Sequence, residues 1–124
     1  MTLRGRIVDA APVIYGRARN GKLYLGSRGD IALVIDTAFT GSLALPPGVA
    51  RRLKRTFIAV DTYTLATGIE IELPMDLGSV EIGPQRVDTW FIVGDALIGM
   101  EFLAQTCAHM HVDFETQSVE LALK

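Results

Sequence analysis

Cysteine is almost missing from this chain of 124 residues: Cys107 stands alone, so no internal disulfide can form. A disulfide framework is thereby excluded, and a reducing, cytoplasmic setting is the expectation. Long apolar runs are missing too. Nothing approaches the roughly 18 consecutive apolar residues that a bilayer-spanning helix needs. The opening Met1-Thr2-Leu3-Arg4-Gly5-Arg6 has no apolar core after its arginines, so no secretion leader is expected. Nor is there an excess of one charge: 12 Lys and Arg face 14 Asp and Glu, a formal net charge of -2. Neither nucleic acid nor an anionic membrane gains an electrostatic reason to bind, and neither is expected as a partner. The densest basic cluster, Arg51-Arg52-Leu53-Lys54-Arg55, lacks interleaved aromatics and reads as a solvated helix face.

What is present is apolar and strand-like. Hydrophobic residues make up 49% of the chain, enough for one domain over 1–124 that buries about two-thirds of its unfolded surface. Segments that alternate with period two, or are rich in β-branched and aromatic residues, lie at Arg6–Val8, Pro12–Tyr15, Lys22–Leu25, Ile31–Ile35 and Thr56–Val60. Others lie at Ile69–Leu73, Val87–Val93, His111–Phe114 and Ser118–Leu123. Turn formers separate them, among them Asn20-Gly21, Gly29-Asp30, Thr67-Gly68 and Gly83-Pro84. Asn20-Gly21 between two apolar runs is a hairpin signal, because both residues accept positive φ. Two helices are predicted, Pro47 to Lys54 and Gly99 to about His109, the second with Met100, Leu103, Ala104 and Cys107 on its apolar face. The pattern predicts an all-β barrel or sandwich with one or two short helices.

Chemistry concentrates in Leu33-Val34-Ile35-Asp36-Thr37-Ala38-Phe39-Thr40-Gly41-Ser42. An apolar strand runs straight into a carboxylate and then into a loop of small and hydroxylated residues. A carboxylate ending a buried strand is costly unless it is hydrogen-bonded or used. Two other Asp-Thr pairs, Asp61-Thr62 and Asp88-Thr89, lack the following Gly and read as ordinary polar strand ends. Cys107, His109 and His111 alternate and could share a strand face as copper or zinc ligands. With no second ligand cluster, a helix turning into a strand is the better reading, and no metal is expected. Ser42 has no nucleophile-elbow context. Glu70 and Glu72 read as solvent-facing, and Trp90 and Phe91 as core or dimer-interface aromatics.

The stretch Val34-Ile35-Asp36-Thr37-Ala38-Phe39-Thr40-Gly41 resembles the signature of the retropepsin-type aspartic peptidases. Ala96-Leu97-Ile98-Gly99-Met100-Glu101-Phe102-Leu103 resembles the second, apolar-apolar-Gly segment of that family, in the form of its cellular and prokaryotic branch. The resemblance runs from about Lys22 to the C-terminus. It implies a closed antiparallel β-barrel of acid-protease type, one lobe per chain, with residues 1–21 as an N-terminal extension or extra hairpin. It also implies roles. Asp36 becomes the catalytic carboxylate and Thr37 a link between the loops of two subunits. Ala38 would meet substrate through its backbone, and Thr40 would hydrogen-bond to Asp36, with Gly41 completing the loop. Gly99 becomes the close-packed residue beneath that loop, and Ile98 part of a side-chain pocket. Ala66, Thr67 and Gly68 become the tip of a flap on the hairpin from Val60 to Leu73. Ala38 replaces the family's usual Gly, which is harmless at negative φ and strained at positive φ.

This chemistry needs two carboxylates about one water, and the chain has one complete motif. At ~3 Å and an effective dielectric near 20, two like charges repel by roughly 5 kcal/mol, so one carboxyl stays protonated while the other is ionised. The ionised group takes a proton from the water and the neutral one donates to the scissile carbonyl. A homodimer acting on a peptide or protein substrate is therefore expected, with no cofactor. Two other readings stay open: a weak or inactive retropepsin-like module that only dimerises or binds peptides, and an unrelated β-barrel binding protein.

Overall fold

Period-two patterning becomes buried and exposed sheet faces. The last strand, Ser118–Leu123, puts Val119, Leu121 and Leu123 inside and leaves the residues between them at intermediate depth. The computed structural model describes residues 1–124, with 62% in strands and 9% in helices. In chain order the strands are β1 (Thr2–Val8), β2 (Ala11–Arg19), β3 (Lys22–Gly26), β4 (Ile31–Ile35), β5 (Leu43–Leu45) and β6 (Thr56–Thr64). They continue as β7 (Glu70–Ile82), β8 (Gln85–Val93), β9 (Leu97–Ile98), β10 (Cys107–Asp113) and β11 (Ser118–Leu123). Helix α1 (Pro47–Ala50) follows β5 and α2 (Met100–Thr106) follows β9.

Seven strands close a barrel in the order β2-β3-β7-β8-β5-β9-β4, with β4 returning to β2. The expected closed barrel is present, and its ring is mixed. The pairs β3–β7, β5–β8 and β4–β9 are parallel, alternating with antiparallel neighbours. Outside the ring, β1, β11 and β10 continue the sheet from β2, and β6 pairs only with β7. The core is one cluster in which Ile14, Leu23, Leu33, Leu45, Ile98 and Phe102 are wholly buried.

The Asn20-Gly21 turn forms as predicted, with φ of 53° and 74°, and joins β2 to β3 in register. Residues 1–21 are built into the sheet: β1 lies between β11 and β2. Both helices are shorter than predicted. α1 ends at Ala50 because Leu53 bridges to Gly21 and Lys54 N–H donates to the Gly21 carbonyl. α2 ends at Thr106, where Cys107 turns extended and starts pairing with β11. Its buried side is Phe102, Leu103 and Thr106, while Met100 and Ala104 are exposed, which corrects the predicted face. Thr106 is tolerated inside because its hydroxyl donates to the Phe102 carbonyl at 2.7 Å.

Candidate active site

The site is set by where β9 lies. This two-residue strand pairs with β4 on one side and β5 on the other, so the loop from Asp36 to Ser42, which joins β4 to β5, arches over its end. Backbone bonds pin the arch. Asp36 N–H donates to the Ile98 carbonyl (2.9 Å) and Gly99 N–H to the Ser42 carbonyl (2.8 Å). The first free N–H groups of α2, on Met100 and Glu101, donate to the Phe39 and Gly41 carbonyls at 2.8 and 3.1 Å. These bonds replace the side-chain cap that α2 lacks.

Close approach explains both glycines. A Cβ on Gly99 would overlap the Gly41 carbonyl and stand 2.7 Å from the Phe39 ring. One on Gly41 would meet the Phe39 and Trp90 rings at 2.6 and 2.7 Å. Trp90 is half-buried beside the loop, and its indole N–H donates to Glu101 Oε1 at 2.9 Å. Phe91, on the opposite face of β8, is in the core.

Alternation along β4 sends Leu33 and Ile35 into the core and turns Asp36 to the other side, half-buried. Its Oδ1 accepts the Ala38 N–H at 2.9 Å, an Asx-turn that fixes the carboxylate against its own loop. Ala38 is not among the residues with positive φ, so the methyl that replaces glycine brings no backbone strain. Thr37, Ala38 and Thr40 are exposed. The bond implied from Thr40 to Asp36 is not made; the Ala38 amide supplies the carboxylate's hydrogen bond instead.

Asp36 and Ala38 stand on one wall of a cleft of about 660 Å³, in which 11 of 15 lining residues are hydrophobic. The β6–β7 hairpin forms the opposite wall, through Tyr63, Leu65, Ile71 and Leu73. Its tip is a three-residue loop closed by Gly68 N–H to the Leu65 carbonyl (2.9 Å), with Gly68 at φ 85°. Of the three expected tip residues, Ala66 lines the cleft, while Thr67 and Gly68 do not. Ile98 is a correction. It is wholly buried, and its neighbour Leu97 lines the cleft, because adjacent strand residues face opposite ways.

Tyr63 and Asp95 are among the cleft residues that escaped the sequence reading. Tyr63 lies 6.4 Å from Phe39, ring centre to ring centre, and its hydroxyl is buried without a hydrogen-bond partner. Burial, then the charges of Asp61 and Glu101, push its pKa up. The available signal was an aromatic residue between Thr62 and Thr64 close to the hairpin tip. Asp95 also lines the cleft; an acidic residue in a bend carries no such signal.

The remaining candidates lie elsewhere. Asp61 and Asp88 are exposed within β6 and β8 and end no strand. Hydrogen bonds from Ser79 and Arg86 hold the Asp88 carboxyl below its usual range. A bulge between Cys107 and His109 sets Cys107 opposite buried Leu123 and His109 opposite Ala122, so the cysteine and the histidines do not share a face. Burial pushes the Cys107 thiol up. Glu70 and Glu72 are exposed. No helix is long and apolar enough to cross a membrane. No family model matches the chain, and neither do curated proteins or solved structures.

Proposed function

We propose that the chain is one half of an aspartic endopeptidase of the retropepsin type, completed when a second copy brings its own Asp36 across a two-fold axis. One observation carries the reading: a carboxylate held by a rigid, glycine-packed loop at the wall of an apolar cleft, with a hairpin opposite. A single carboxylate cannot both activate water and protonate the carbonyl. The exposure of Thr37, Ala38 and Thr40 leaves the loop accessible to a second copy.

In the dimer the ionised Asp36 takes a proton from the water as its oxygen bonds to the scissile carbon. The protonated Asp36 gives its proton to the carbonyl oxygen. Collapse of the tetrahedral species returns a proton to the amide nitrogen and breaks the C–N bond. The β6–β7 hairpin would close over the peptide and exclude water, as lids do.

The test is hydrolysis of an unfolded protein at mildly acidic pH. Cleavage is expected from the wild-type chain and is lost in Asp36→Asn and with a hydroxyl-bearing peptide mimic of the tetrahedral state. Equal cleavage by wild type and Asp36→Asn overturns the proposal. Peptide binding without cleavage by the wild type leaves the binding-module reading in its place.

A further inference from the structure

Asp95 sits on the cleft wall, and the mechanism above gives it nothing to do. The backbone around it is fixed. Gly94 N–H donates to the Leu45 carbonyl (2.9 Å), and the Ala96 carbonyl accepts Val34 N–H (3.0 Å). Asp95 is exposed, and its carboxylate makes no ion pair with another side chain, so it is free to meet whatever enters the cleft. The cleft it lines has no Lys, Arg or His among its 15 residues; Asp36 and Asp95 are the charges there. A cleft with apolar walls and charge of one sign concentrates field lines and favours the opposite charge in whatever enters.

The spacing matches an extended peptide. In the parallel pairing of β4 with β9, Val34 stands beside Leu97, so Asp95 lies two residues before that pair and Asp36 two residues after it. Four residues of strand span at most ~13 Å. A substrate in extended conformation, cut at Asp36, would carry a side chain to Asp95 within about four residues of the scissile bond. Ile92, Val93 and Leu97 line the same cleft and suit the aliphatic stem of a lysine or arginine whose charged head reaches further.

We infer that Asp95 is a specificity residue that takes a Lys or Arg side chain of the peptide substrate, close to the bond cut at Asp36. The inference rests on the peptidase reading for its substrate class. The test uses the full chain and paired fluorogenic peptides that differ only in Lys against norleucine, scanned over four positions on each side of the scissile bond. At one position the wild type is expected to favour Lys at least tenfold in kcat/KM, mainly through KM. Asp95→Asn brings that ratio to within twofold, and Asp95→Lys takes it below one.

A wild-type ratio near one at every position, or a ratio that survives in Asp95→Asn, overturns the inference while Asp36-dependent cleavage keeps the peptidase reading. Should no Asp36-dependent cleavage occur, that reading falls. The same peptides then decide the inference by fluorescence anisotropy: tighter binding of the Lys peptide that Asp95→Asn removes supports it, and equal binding overturns it.

Discussion

At the scale of single residues, the site is held by what cannot be added to it. A Cβ on Gly99 would meet the Gly41 backbone first and the Phe39 ring next, so the barrel has no cheap way to admit a methyl there. Gly99→Ala is expected to cost at least the ~1–3 kcal/mol typical of overpacking, read as a lower urea midpoint. A variant as stable as wild type would show that the loop and β9 are not so tightly joined. Tyr63 is the converse case. Its hydroxyl is buried and unpaired, so Tyr63→Phe removes a polar group that gains nothing in the fold. Stability unchanged, or raised by up to about 1 kcal/mol, is expected; a loss of that size in thermal or urea unfolding would mean that the hydroxyl is paired after all. Asp36 was legible in the sequence because a strand of apolar residues running into Asp-Thr is hard to explain by burial alone. Asp95 was not, since an acidic residue after a glycine in a polar bend fits any surface turn. Its meaning comes only from the wall it shares with Asp36.

At the scale of elements, strands were legible where alternation ran long enough to fix a face. β11 had that length, and Asn20-Gly21 announced its own turn, whereas β7 runs on to Ile82, past the Ile69–Leu73 that alternation marked. β5 and β9, at three and two residues, are too short to carry a period. The resemblance therefore points to Ile98 where the cleft holds Leu97: with two residues, which one faces inward depends on neighbours distant in sequence. The end of α2 was hidden for a related reason. Helical spacing continues into Cys107, but pairing with β11 captures that residue for the sheet. The turn between β1 and β2 is another local conflict. Asp9 and Ala10 adopt φ of 49° and 63°, a conformation that costs a non-glycine residue roughly 1–2 kcal/mol. Ala10→Gly relieves it at the cost of some chain entropy. A net gain of about 0.5–1 kcal/mol in urea unfolding is expected, and a loss would mean that the strain is not there.

At the scale of the whole molecule, the barrel leaves apolar surface uncovered next to the cleft. Phe57, Ile58 and Val60 on β6 are 61%, 46% and 55% exposed, on a strand paired along one edge only. Exposed apolar strands of this kind are rarely left bare, and this one is a strand of the hairpin that walls the cleft. The proposed peptidase needs a second copy, because one chain supplies a single Asp36. Mixtures of wild type and Asp36→Asn at constant total concentration test it most directly. If subunits pair at random and each active site needs two intact carboxylates, an equal mixture retains about a quarter of the pure wild-type rate of proteolysis. Retention of about half, in simple proportion to the wild-type chains present, would show that each chain works alone and would contradict the account.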